Sequence, residues 1–274
     1  MFLTPFDHLT WAYQLHYHIC FRTHHRQNFL AEESIRAILE AELTFLANDN
    51  GYHILEIKVR PNDVQLVLSL RPEHRISDVL KKLKGRSSAT LCSQLKITAP
   101  LWAVGYLARS TGKVRVQAVK HYLERQAAHH GYEKRVLPPV FRFRNGNPAV
   151  LNVAHASFNL QHHLVLATQY RQGVFDSRVG EALVSYWNKV AVVRDFALDQ
   201  ATVVPDHVHA LVRITPKVSI EEVTLCLMNN GQHFVASQFP ARLIETKVTQ
   251  LWQGSAYAGT CGELTTALLK AFLR

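Results

Sequence analysis

The sequence contains no run of eighteen or more apolar residues and no basic-then-apolar leader, so neither a membrane span nor a secretory signal is expected and the cytoplasm is the expected compartment. Cysteine is sparse. Cys20, Cys92, Cys226 and Cys261 lie far apart and form no C-x-x-C, which argues against a zinc site or disulfide framework and for small buried hydrophobes. Acidic residues are also short, 21 against 31 lysines and arginines, giving a formal net charge of +10. The imbalance is local: residues 1–146 carry +9 and residues 147–274 only +1. Such asymmetry points to a polyanion, nucleic acid first, on the earlier half. Lys81, Lys82, Lys84 and Arg86 crowd one expected helix. A solvated face is the bland account of that cluster; with the asymmetry, phosphate contacts are the reading adopted.

What is present is a repeat. A strand over Leu15–Thr23 leads to a helical pattern over Ala31–Ala47, then strands over Tyr52–Val59 and Val64–Leu70. A helix over Ile76–Leu91, a strand over Leu101–Leu107 and a helix over Val114–His130, stopped at Gly131, complete the unit. The order β-α-β-β-α-β is that of a ferredoxin-like, split βαβ unit with one appended helix. After residues 131–150, read as a linker from Pro138-Pro139 and Asn145-Gly146-Asn147-Pro148, the pattern restarts. His18 to Gln27 returns as His163 to Gln172, Val59-Arg60-Pro61-Asn62-Asp63-Val64-Gln65 as Val203 to His209, and Leu101-Trp102 as Leu251-Trp252. The expected fold class is therefore α+β, with two tandem copies, residues 1–130 and 151–274, forming an intramolecular pseudo-dimer.

The stretch that carries chemistry is Val203-Val204-Pro205-Asp206-His207-Val208-His209-Ala210-Leu211-Val212, a strand entered through a Pro-Asp turn. Side chains alternate along a strand, so His207 and His209 share a face with Cα atoms roughly 6–7 Å apart. Two imidazoles so placed can converge on one divalent cation. Spacing alone favours two polar residues on the wet face of a half-buried strand; the recurrence of the stretch shifts the balance towards a metal pair. Asp206 reads as a turn residue rather than a ligand. The first copy has Asp63 and Gln65 where the second has His207 and His209. Conversely Tyr122, with Gln126 one helical turn on, lies on the last helix of the first copy, where the second copy has Phe272. The position matching Gln126 falls past Arg274.

Pro-Asp-His-Val-His-x-Leu-Val, the His-x-x-Phe-Arg-Thr opening, Leu-Lys-Gly-Arg-Ser-Ser at 83–88 and Tyr-x-x-x-Gln on the last helix resemble the HUH single-tyrosine transposases of the insertion-sequence 200/605 type. The resemblance covers nearly the whole chain, once per copy. It implies Tyr122 as nucleophile and His207, His209 and Gln126 as ligands of a divalent metal, Mg2+ or Mn2+. It implies single-stranded DNA with hairpin ends as substrate and a 5′-phosphotyrosine intermediate. Asp63, Gln65 and Phe272 depart from the pattern and mark a degenerate second site. No one copy holds a full set, so the complete site would be composite, formed in trans between the fused copies. The contrasting reading is a catalytically inactive hairpin-binding regulator. The resemblance also leaves room for two chains to associate.

Overall fold

A computed structural model describes residues 3–96, 100–112, 138–147 and 149–262. The first two strands, β1 (Thr10–Gln14) and β2 (His16–Arg22), precede helix α1 (Glu33–Asp49). Strands β3 (His53–Val59) and β4 (Asp63–Ser69), helix α2 (Ile76–Leu95) and strand β5 (Tyr106–Thr111) follow. A short strand β6 (Phe141–Arg144) leads to β7 (Ala156–Thr168), α3 (Ser177–Val193), β8 (Phe196–Val204) and β9 (His207–Ile214). Helices α4 (Ile220–Gln238) and α5 (Pro240–Glu245) and strand β10 (Trp252–Cys261) complete the described chain. The order strand-helix-strand-strand-helix-strand thus occurs from β2 to β5 and again from β7 through α4 to β10. The helix expected over Val114–His130 lies outside the described residues.

All the strands join one ten-stranded mixed sheet. Its two halves interlock by exchanging strand partners. β5 runs antiparallel to β2 of its own half and parallel to the start of β7, Tyr106 facing Ala156 through Arg109 facing Asn159. Reciprocally, β10 runs antiparallel to β7 and parallel to β1, Thr10 facing Ser255 through Gln14 facing Gly259. The crossing bonds come in matched pairs. Ser110 Oγ donates to the Cys261 carbonyl, and Thr260 Oγ1 donates to that of Thr111. The Gln161 amide donates to Ser110 Oγ at 2.9 Å, and the His16 amide to Thr260 Oγ1 at 3.0 Å. Between the helical ends, Ser77 N donates to Pro216 O and Glu221 N to Pro72 O, at 3.0 and 3.1 Å. Pairing backbone donors along this seam removes exposed edges that two separate sheets would present.

Strand alternation sets the two faces apart. Val208, Ala210, Val212 and Ile214 of β9 are buried with Leu183, Val184 and Trp187 of α3 and Val223, Leu227 and Val235 of α4 in one apolar core. The first half behaves likewise: Ile19 and Phe21 of β2 and Leu66 and Leu68 of β4 pack with Leu39 and Leu43 of α1. Burying side chains of this size stabilises by about 1.5–3 kcal/mol each before entropy is charged against it. The opposite face carries His207, His209 and Thr202, and in the first half Asp63, Gln65 and His18.

Two expectations change. The strand expected over Leu101–Leu107 starts later: Trp102 makes only a single bridge to Thr23, and β5 begins at Tyr106. Gly105 is the reason, since it adopts φ +97° and a Cβ there would meet the His155 carbonyl oxygen at 2.5 Å. The segment read as a linker contains β6, an edge strand paired with β8, Phe141 facing Val203. Trp102 and Trp252 are both buried, as expected of matching core positions, and none of the four cysteines is in a disulfide. No helix among the described residues is long and apolar enough to cross a membrane.

Candidate metal centre

The hairpin between β8 and β9 turns through Pro205 and Asp206, with Val204 facing His207. Thr168 clamps that turn: its amide and its Oγ1 both donate to the Asp206 carbonyl at 2.9 Å. His207 and His209 then project from one face with ring centroids 4.9 Å apart and planes at 69°. His209 is buried and His207 half-buried.

Each histidine is held through its Nδ1. His207 Nδ1 lies 2.6 Å from Asp206 Oδ1. His209 Nδ1 lies 3.0 Å from Nε2 of His163 on β7, the two rings stacking at 5.2 Å and 11°. A carboxylate accepts from Nδ1–H, which fixes the tautomer that presents Nε2 to a metal. Burial pushes His163 down to about 4, so it stays neutral and can accept from His209 Nδ1–H in the same sense. Burial alone would raise Asp206, but the His207 hydrogen bond and charge and the Arg171 guanidinium outweigh it and hold the carboxyl below its ordinary range. Arg171 Nε sits 2.9 Å from Asp206 Oδ2. Arg171 and its neighbour Tyr170 both adopt left-handed φ, +56° and +55°. Such conformations cost of order 1–3 kcal/mol each and gather at functional sites.

The donor set fits a divalent ion in part. Two imidazoles oriented through Nδ1 suit Mg2+ or Mn2+, imidazole favouring the softer manganese. No group of three or more His, Cys, Asp or Glu side chains among the described residues is arranged to hold a metal. Gln126, the third ligand implied by the resemblance, lies outside the described residues, as do Tyr122 and Phe272.

In the first half Asp63 and Gln65 occupy the places of His207 and His209. Both are buried, and Gln65 Nε2 donates to Asp63 Oδ1 at 3.1 Å. His18 stands where His163 stands and is hydrogen-bonded to Gln65, although burial lowers its pKa overall. The neighbouring histidine is thus present in both halves and the histidine pair in one.

Of the basic cluster on α2, Lys81, Lys82 and Arg86 line an open groove of about 630 Å³ with Tyr52, His74 and Arg75. Lys82 Nζ also donates to Asn50 Oδ1 at 2.8 Å. Lys84 is a correction. Its Nζ turns inward to donate to the carbonyls of Ala103 and Gly105, both at 2.9 Å, and lies over the Phe21 ring. It ties down the loop before β5 instead of facing phosphate. Asp206, Arg171 and His163 are the residues missed. The repeat, which returns His18 as His163 and Arg26 as Arg171, hinted at two of them.

The profile of one family, described as "Transposase IS200 like", matches residues 11–126 and again residues 156–274. The transposase for insertion sequence element IS200 of Salmonella typhimurium is 25% identical over 117 residues, which is 43% of this chain and 77% of that protein. The ISDra2 transposase TnpA of Deinococcus radiodurans is 29% identical over 122 residues, 42% of this chain and 86% of the relative. A crystal structure described as a putative transposase from Deinococcus radiodurans R1 aligns at 29% identity with a TM-score of 0.35, covering 42% of this chain and 92% of that one.

Proposed function

The chain belongs to the IS200-like transposase family, and from that premise we propose that it nicks and rejoins single-stranded DNA at one composite site made by two fused, ferredoxin-like copies. Residues 151–274 supply His207 and His209, and residues 1–130 supply Tyr122 and Gln126. The observation that carries this reading is the oriented histidine pair, each Nδ1 engaged by a partner, on a face where the first half has Asp63 and Gln65. Strand exchange between β5, β7, β10 and β1 supports a pseudo-dimer, because each half completes the other's sheet.

In this reading the Tyr122 phenol loses its proton and its oxygen attacks the phosphorus of the scissile phosphodiester. The P–O3′ bond breaks, the 3′ oxygen leaves and takes up a proton, and the 5′ phosphate stays on the tyrosine. A later 3′-OH reverses the step, the ester having kept the energy of the broken bond. A divalent ion, when bound, supplies Lewis-acid stabilisation of charge on the phosphate oxygens. His207, His209 and Gln126 would hold it, with Asp206 and His163 orienting the two imidazoles. Base pairing would keep the scissile phosphate from the tyrosine, so a single-stranded stretch beside a hairpin is the proposed substrate.

The test is covalent trapping. The protein is incubated with Mn2+ and labelled single-stranded hairpins from the DNA flanking its own gene, beside Tyr122→Phe and His207→Ala. A denaturant-resistant adduct lost in both variants is expected. Hairpin binding with no adduct would overturn the reading in favour of a binding regulator.

A further inference from the structure

We propose that the first half carries a metal-independent phosphate-binding site for single-stranded DNA, in which Arg109 stands in for the divalent cation. The proposal rests on the reading that this sheet face receives single-stranded DNA, but not on cleavage.

Position is the first argument. Arg109 of β5 faces His18 of β2, as Gly259 of β10 faces His163 of β7. The two places correspond. One has glycine across from His163, whose ring meets His209, and the other has arginine across from His18, which is hydrogen-bonded to Gln65. A Cβ on Gly259 would meet the Tyr257 hydroxyl oxygen at 2.7 Å, so a side chain there would require that phenol to move. The first half has Leu107 where the second has Tyr257, and Leu107 brings no hydroxyl to that place.

Arg109 also lacks a partner for one buried nitrogen: its Nε has none among the described residues, and neither does the buried Nδ1 of His18 beside it. Burial depresses the Arg109 guanidinium, which nevertheless stays charged at any accessible pH. A buried cationic nitrogen without an acceptor is costly, and an anion that visits the site is a physical reason to keep it. A guanidinium also presents paired donors that match two phosphate oxygens, which a metal site would otherwise contact through the ion.

The surrounding charges permit an anion. Asp63 lies on the same face but directly opposite Arg22, and its Oδ1 is taken by Gln65. Glu56 and Lys58 of β3 face Val67 and Gln65 of β4. Arg22 also lines a polar cleft of about 350 Å³ with Tyr106, His155 and Ser157, at the near end of β5. A nucleotide held there would place its phosphodiester along the row from Arg22 to Arg109.

The experiment uses the full chain in EDTA, with a labelled oligodeoxythymidylate followed by fluorescence anisotropy across a salt series. Wild type binds. Arg109→Ala is expected to weaken binding about fivefold at 0.1 M salt and to lower the log–log salt slope by about 0.7, the signature of one lost single-strand phosphate contact. Arg109→Lys should restore the slope. Arg109→Gln keeps length without charge, so it serves if the alanine variant melts early, and should behave like it. Unchanged affinity and slope in a folded Arg109→Gln protein would overturn the proposal, as would wild type that binds no oligonucleotide in EDTA. Loss of the covalent adduct reading leaves both measurements intact, so the two ideas fail separately.

Discussion

The Tyr17 hydroxyl and Nε2 of His162 meet at 2.8 Å, both residues buried, from corresponding positions of the two halves. Tyr17 precedes His18 on β2 as His162 precedes His163 on β7. Two identical copies would put tyrosine against tyrosine or histidine against histidine here. A single chain can place a phenol against a neutral imidazole, which burial pushes down to about 3. The seam between the halves is therefore chemically directional although its backbone bonding is reciprocal.

Removing the phenol tests that seam. Tyr17→Phe leaves the His162 ring buried without its partner, and the expected loss is about 1–3 kcal/mol. Tyr17→Phe with His162→Phe replaces both polar ends by apolar groups and should recover part of it. Urea midpoints of the three proteins measure the effect. A Tyr17→Phe midpoint equal to wild type would mean the bond contributes nothing.

Lys84 and Arg86 should separate although they are neighbours on α2. Lys84→Ala removes the donor from two carbonyls in the loop before β5, so a stability loss of about 1–3 kcal/mol is expected. Its DNA salt slope should not change. Arg86→Ala, at the rim of the open groove, should leave the melting temperature alone and lower the slope by about 0.7 per contact. Thermal melts and anisotropy titrations on both variants read this directly.

Much of the architecture was legible because the repeat is written in residues with mechanical jobs. Thr23 and Thr168 each clamp the following turn, through Gln27 and Gln172 carbonyls at 2.7 Å, and both lie within the aligned stretches. The histidine pair was legible from strand periodicity. What was missed depends on partners distant in sequence. Asp206 read as a turn former, and only the fold shows it bonded to both His207 and Arg171. The role of His163 needs the β7–β9 register, which sets it diagonally across from His209. β6 hid among prolines and glycines although Phe141-Arg142-Phe143-Arg144 alternates like a strand. Lys84 looked like its neighbours because helix spacing does not say which lysine turns inward.

Acid should weaken one link between the halves. Arg75 at the start of α2 donates to Glu222 in the first turn of α4, with Nε to Oε2 at 2.9 Å. Burial would raise the Glu222 carboxyl, but Arg75 and the Ser219 amide, which donates to Glu222 Oε2 at 2.8 Å, outweigh it and hold it below its ordinary value. A depressed carboxyl contributes stability above its unfolded value and loses it as pH falls through the folded one. Glu222→Gln should therefore cost more at pH 7 than below the folded value, where wild type and variant converge. The pair is substantially exposed, so a difference of about 0–1 kcal/mol is expected. Urea unfolding at the two pH values checks it, and an equal cost at both would contradict the assignment.

The orienting partners of the histidine pair give the sharpest test of the proposed metal centre. Neither Asp206 nor His163 is proposed to touch the ion, yet each engages the Nδ1 of a ligand. Removing such a partner lets the ring rotate or change tautomer, and metal affinity typically falls 10–100-fold. Asp206→Ala and His163→Phe should each weaken Mn2+ binding by about that factor, measured by isothermal titration with the far-ultraviolet spectrum as the control for folding. Asp63→Ala, at the first-half position that matches His207, should leave Mn2+ affinity unchanged. If Asp63→Ala instead reduced it as much as Asp206→Ala, the metal would belong to both halves and the single composite site would be wrong.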